Sequence, residues 1–294
     1  MGALGMLYGT HIMDSGSIGD VHFVMDKARL ERNRPLTFYV NGVPRKMPMH
    51  LCDEETPVDL LIVAVKYPGL KDALDVIEKC VGKDTVIMSV LNGITSEEII
   101  AERFGREHMI YTVAQGTDAV KLHEYLTYKN KGELIIGVKE SCQLPNLRAV
   151  CDYFDRIRMP YRREDDIIHR IWSKFMFNVG LNQACMVYGA TYGDIADPDS
   201  EAYRTMIAAM REVIAIARCE GIDLGEDTLC EYVRMISTLS PGAMPSMRQD
   251  GLARRPSEVE MFSGTIRTLA GKYNILVPAN DFLYKRVREI EALY

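Results

Sequence analysis

At 294 residues, with 47% hydrophobic and 26% charged side chains, the chain is long enough for about two globular domains and too apolar to be disordered. Its net charge of −6, from 35 Lys and Arg against 41 Asp and Glu, argues against a nucleic-acid or membrane-surface binder, because such binding rests on excess positive charge. Seven scattered cysteines without a C-x-x-C pair exclude a zinc ribbon or a dithiol redox pair and fit a reduced, cytoplasmic chain, and the longest apolar run, near residues 60–65, is broken by Lys66, far short of the roughly 18 residues a membrane span needs.

The chain opens Met1-Gly2-Ala3-Leu4-Gly5 and runs into an apolar helical stretch (Met6, Leu7, Ile12) that ends at Gly16. Gly-x-x-Gly at the head of a helix is the second half of G-x-G-x-x-G, in which small residues let a dinucleotide pyrophosphate approach the helix N-terminus. Gly2, Ala3, Leu4 and Gly5 are therefore candidate cofactor-binding residues. Residues 21–25 (VHFVM) read as the strand that follows, and Asp26 stands at its end, where the ribose-reading residue belongs. The motif also calls for a strand and a glycine ahead of Gly2, and the sequence shows neither. The expectation is a protein that starts several residues earlier, with Met1 between the first and second glycines; the alternative is a remodelled, cofactor-free relic.

Residues 36–47 read as a hairpin turning at Asn41-Gly42. Residues 59–65 (DLLIVAV) form a near-continuous apolar run of the kind found in parallel sheets covered on both faces. A helix at 71–79, strands at 85–90, 109–114 and 134–137, and a helix at 96–104 complete the alternation. This pattern predicts an α/β, Rossmann-type N-terminal domain that lacks its first strand, with ligands at the carboxyl ends of its parallel strands. From about Asp165 helical periodicity takes over, with helices expected at 167–187, 200–220, 228–238, 258–273 and 281–293. Gly221 closes the second of these, and Ser240-Pro241-Gly242 marks a loop. The expected layout is a dinucleotide-binding domain at 1–163 and an all-α C-terminal domain at 164–294.

Lys174, Asn178 and Asn182 stand at i, i+4 and i+8, which stacks them on one face of a helix. Asparagine is a poor helix-interior residue, so two on one stripe point to a lined pocket; the competing reading is a solvated face. Downstream, Ser246-Met247-Arg248-Gln249-Asp250 follows a Pro-containing loop. Ser257 reads as an N-cap with Glu260 completing a capping box, which leaves Glu258 a first-turn acid, either catalytic or a complement to the helix dipole. The six histidines show no metal-ligand spacing and no metal is expected; the 17 methionines and Trp172 read as core.

Taken in order, Gly-Ala-Leu-Gly, Val63-Ala64-Val65-Lys66, Leu91-Asn92-Gly93, the Lys174/Asn178/Asn182 helix, Ser246-Met-x-Gln-Asp and Ser257-Glu258 resemble the ketopantoate reductase (2-dehydropantoate 2-reductase) family over essentially the whole chain. The resemblance implies NADPH-dependent reduction of 2-dehydropantoate to (R)-pantoate, a step toward pantothenate and coenzyme A. It makes Lys174 the catalytic general acid and Glu258 the active-site acid that helps hold the substrate hydroxyl. It makes Asn178 and Asn182 substrate-binding, Ser246 the carboxylate grip, Asn92 the asparagine near the nicotinamide, and Lys66 a cofactor-site lysine. Asp26 departs from the arginine that often reads the NADP 2′-phosphate, although Lys27 and Arg29 are close by, so NADH rivals NADPH. Gly242-Ala243-Met244 stands where some members carry an asparagine, which leaves open another small 2-oxo acid as substrate. A reading from a different class is a non-catalytic dinucleotide-binding protein. The sequence leaves a homodimer open.

Overall fold

Gly2 is extended (φ −90°, ψ 174°) and serves as the N-cap of the first helix, α1 (Ala3–Asp14), whose Met6, Leu7 and Tyr8 are buried. There follow β1 (Phe23–Met25), α2 (Lys27–Asn33), β2 (Phe38–Val40), β3 (Val43–Arg45), β4 (Met49–Leu51), β5 (Leu60–Val63), α3 (Leu70–Val76), β6 (Val86–Ser89) and α4 (Ser96–Phe104). After these come β7 (Met109–Gln115), β8 (Val120–Leu122), β9 (Tyr125–Thr127), β10 (Glu133–Gly137), α5 (Leu144–Ile157) and β11 (Tyr161–Arg163). The computed structural model describes residues 1–16, 21–52 and 56–294, and it divides the chain into two units, Met1–Ile167 and Ile168–Tyr294. The division falls in the first turn of a long helix, four residues beyond the expected 163/164.

In the first unit, β5, β6 and β7 are parallel and carry the apolar run that buried parallel strands require, with Ile87, Met88, Met109 and Ile110 at 0% exposure. They extend into a five-stranded sheet of order β11-β10-β7-β6-β5. The sheet also takes in an antiparallel member. β10 runs antiparallel to β7, reached by a connection that passes through β8 and β9 without a crossover helix. β1 and β4 form a separate parallel pair, and β3-β2-β9-β8 a third sheet. In the doubly wound order the first strand lies between its second and fourth, and no described strand stands between β1 and β5. Instead α1 meets both sheets: a Cβ on Gly5 would lie 3.5 Å from that of Ala64, just past β5, and one on Gly9 would sit 2.4 Å from the Phe23 ring in β1. The Asn41-Gly42 hairpin is as expected, antiparallel, with both turn residues at positive φ (47° and 79°) as a type I′ turn demands.

The second unit is helical: α6 (Ile167–Tyr188), α7 (Tyr192–Ile195), α8 (Glu201–Cys219), α9 (Glu226–Ile236), α10 (Ser246–Leu252), α11 (Thr265–Tyr273) and α12 (Pro278–Glu291). α8 is its axis; Ala209, Met210, Val213, Ile216 and Ala217 are fully buried on one face. Gly180 lets α6 approach that axis, since a Cβ there would lie 2.9 Å from the Met206 carbonyl and 2.6 Å from Met210 Cγ. Glu212 on α8 accepts the N–H groups of Ala279 and Asn280 (2.7 and 2.9 Å) and so caps α12.

Two expectations fail here. The continuous helix 258–273 is replaced by a π-turn, Glu260–Gly264, running into α11. The capping box does not form: Ser257 Oγ accepts the Val259 N–H at 3.3 Å, but the Glu260 carboxylate accepts the Tyr284 hydroxyl at 2.6 Å. A distant tyrosine outcompetes the local backbone donor. No helix among the described residues is long and apolar enough to cross a membrane.

Candidate active site

The first unit gathers its candidates at the carboxyl end of β5 and β6. A Cβ on Gly2 would lie 3.3 Å from the Ala64 carbonyl, so the head of α1 sits directly on the residue after β5. α1 has no acid in its first turn and no side-chain cap, leaving its leading N–H groups and positive dipole end to an anion. Burial, and after it Lys121, Arg29 and Arg32, lowers the pKa of the Met1 amino group, so three cations stand around this helix head. These features fit a dinucleotide pyrophosphate.

Val63 pairs with Ser89 across the parallel β5–β6 ladder. Lys66 and Asn92 each follow by three residues and therefore leave the sheet in step, Lys66 exposed and Asn92 half-buried. Gly93 after Asn92 has φ +94°, a conformation a side chain would strain. Asp26, expected to read the ribose, has a local task as well: it is the N-cap of α2, with Oδ1 accepting the Arg29 N–H at 2.7 Å and Oδ2 3.4 Å from Arg29 Nε.

Glu97 was not singled out by sequence reasoning. It lies in the first turn of α4, 3% exposed, and burial pushes its carboxyl up to about 7. Ser96 Oγ donates to its Oε2 at 2.8 Å and pairs with Ser89 Oγ at 2.8 Å, while Ser89 Oγ accepts the Leu91 N–H at 3.4 Å. The chain thus ties both ends of the loop that carries Asn92. A signal was present in the sequence, because Ile100 and Ala101, three and four residues on, place Glu97 on the buried face of α4.

In the second unit α6 carries Lys174, Asn178 and Asn182 on one face, as the spacing requires. The solvated-face reading fails: Asn178 and Asn182 are 8% and 5% exposed, and Lys174 is half-buried. Neither carboxamide has a hydrogen-bond partner among the described residues, and neither has a polar atom sealed off from solvent without one. Most of each side chain is covered while its polar end stays open, which leaves donors and acceptors on this face able to bond a small ligand. Phe175, next to Lys174, packs on Phe262 of the π-turn with ring centroids 6.5 Å apart. The Phe262 N–H bonds the Glu258 carbonyl at 3.0 Å, so the Lys174 turn of α6 lies beside the segment that carries Glu258. At the other end of the stripe a Cβ on Gly251 of α10 would sit 3.2 Å from Met186 Cε, one turn beyond Asn182. Ser246 begins α10 and is exposed. A cation, two amides, an acid and a hydroxyl thus lie along one helix and the two segments packed on it, a set able to bind a small polar molecule and donate a proton to its oxygen.

A parallel α/β core with a glycine-led helix at its ligand end, joined to a helical unit with a buried polar stripe, is the layout of a two-domain dinucleotide-binding oxidoreductase. Residues 1–140 match the family model described as ketopantoate reductase PanE/ApbA, and residues 166–291 match that described as ketopantoate reductase PanE/ApbA C terminal. The chain belongs to the ketopantoate reductase family. It is 26% identical over 247 residues to the 2-dehydropantoate 2-reductase of Aquifex aeolicus, covering 81% of this chain and 79% of that one. Among solved structures, a D-mandelate dehydrogenase complexed with NADH superimposes with a TM-score of 0.87 at 23% identity, covering 99% of this chain and 96% of that one. A PanE/ApbA family ketopantoate reductase from Ralstonia eutropha JMP134 gives 0.82 at 22%, with the same coverage.

Proposed function

We propose that the protein reduces the carbonyl of a small 2-oxo acid, 2-dehydropantoate in the first place, to the corresponding 2-hydroxy acid with NADPH. The observation that carries this reading is the pair of unpartnered amides on the largely covered Asn178 and Asn182, on the same helix face as Lys174. The bound dinucleotide supplies a hydride to the substrate carbonyl carbon. The chain's own groups do the rest. The head of α1, with Gly2, Ala3, Leu4 and Gly5, holds the pyrophosphate, Lys66 adds a cation at the cofactor, and Asn92 orients the nicotinamide amide. The Lys174 ammonium donates a proton from Nζ to the carbonyl oxygen as negative charge builds there, and takes one back from solvent. Glu258 accepts from a substrate hydroxyl, the two asparagine amides bracket it, and Ser246 donates to the carboxylate.

NADPH is favoured over NADH because the Arg29 guanidinium, 3.4 Å from Asp26 Oδ2, offsets that carboxylate, and Arg32 adds a further cation near the head of α1, so a 2′-phosphate is tolerated there. A second reading, an aromatic 2-oxo acid reduced with NADH, draws support from the likeness to D-mandelate dehydrogenase in complex with NADH and from the missing asparagine at Gly242-Ala243-Met244. Steady-state reduction of 2-dehydropantoate and of phenylglyoxylate, each with NADPH and NADH, separates the two. If the amides read the substrate hydroxyl, 2-dehydropantoate is preferred over an analogue lacking that hydroxyl by about 100-fold or more in kcat/KM. Equal values for that pair would overturn the assignment.

A further inference from the structure

A cleft of about 480 Å³ opens at the C-terminal end of α1, lined by His11, Asp14, Ser15, Lys131, Arg156 and Arg158 among others. α1 is 12 residues long, so this cleft is about 18 Å along the helix from the glycine cradle. Its volume is that of a site for a small metabolite. Three of its lining residues are permanent cations. The one acid among its described lining residues, Asp14, is clamped by Arg45 through two bonds of 2.7 and 3.0 Å, which neutralises it.

Two of the three cations are held rather than loose. His11 Nε2 bonds the Ile157 carbonyl at 3.0 Å, which requires the proton on that nitrogen and leaves Nδ1 as an acceptor. Lys131 Nζ donates to Nδ1 at 3.0 Å and is thereby fixed at the cleft. Arg156 Nε is tied to the Asp152 carbonyl at 3.2 Å. Arg158 closes α5 in the left-handed region (φ 53°, ψ 41°), where glycine or asparagine ordinarily ends a helix. An arginine there keeps a strained backbone, and its guanidinium has no ion-pair partner among the described residues. Helix-dipole complementation accounts for cations on the last turns of α1 and α5. It does not account for Lys131, which comes from the loop before β10, or for a strained Arg158 beyond the helix.

We propose that this cleft binds a compact anion of two or more negative charges, a phosphate ester or a small polycarboxylate, at a second site separate from the cofactor cradle. The test is titration calorimetry of the full chain at low salt with inorganic pyrophosphate and, separately, with citrate, each with and without NADPH. The variants are Arg158→Gly, which suits the left-handed backbone and so keeps the fold, and Lys131→Ala. The expected result is stoichiometric binding of at least one probe, unaffected by NADPH and weakened about tenfold in each variant. Preference for pyrophosphate or for citrate names the phosphate or the carboxylate source. Absence of saturable binding, binding displaced by NADPH, or binding that Arg158→Gly leaves unchanged would overturn the proposal. The readout needs no turnover, so it stands or falls apart from the reductase assignment.

Discussion

Glu97→Gln isolates the free energy stored in one buried acid. Burial raises the Glu97 carboxyl from its ordinary 4.5 to about 7, with Glu98 adding to the rise, while Ser96 and the backbone N–H groups of Glu97 and Thr112 oppose it. Tyr111 and Glu98 are the titratable groups that face it electrostatically from β7 and α4. Because the folded value lies above the unfolded one, the contribution to stability is fully present below about 4.5 and is lost as pH rises through about 7. At about 1.4 kcal/mol per pH unit of that gap, the loss is about 3 kcal/mol. Glutamine cannot ionise and removes this slope. It also leaves one of the two backbone donors facing an amide NH2, which costs about 1–3 kcal/mol at every pH. The pH-independent cost cancels when urea unfolding of both proteins is compared at pH 5 and pH 8. Relative to wild type, Glu97→Gln should gain about 2–3 kcal/mol between the two, most of it by pH 7. A difference that stays within about 0.5 kcal/mol across that window would refute the reasoning and return Glu97 to an ordinary first-turn acid.

Lys174→Ala should lower kcat by about 100- to 10,000-fold while the thermal midpoint stays near wild type; a matching loss of both would mean a folding role. Asn182→Ala removes an amide with no partner among the described residues. It should reduce kcat/KM for 2-dehydropantoate about 100-fold and leave the thermal midpoint unchanged or raised, whereas a structural amide would lower it. Gly180→Ala places a Cβ 2.9 Å from the Met206 carbonyl, which cannot yield as a side chain can. Overpacking of about 1–3 kcal/mol outweighs the roughly 1 kcal/mol that helix propensity returns, so chemical denaturation should register a net loss of about 1 kcal/mol.

What could be read from the sequence was local. The Lys174/Asn178/Asn182 stripe needs only 100° per residue, and the Asn41-Gly42 turn needs only two residues that tolerate positive φ. The long helices α6, α8, α9 and α12 declare themselves through apolar spacing within their own length, and their bounds fall within a few residues of expectation. The three-residue strands β4, β8 and β9 carry too few positions for a period to register. The antiparallel turn of β10, the break of the expected helix at Glu260–Gly264 and the extent to which Glu97, already on the apolar-spaced face of α4, loses its water depend on partners far along the chain. So does the gathering of Lys131, from one loop, with His11 and Arg158 from two helix ends. Periodicity and turn chemistry are set by steric limits between near neighbours, and those are written in adjacent residues. Which faces meet, which acid is stripped of water and which cations share a cleft are set by packing between distant segments, and only the folded chain decides that.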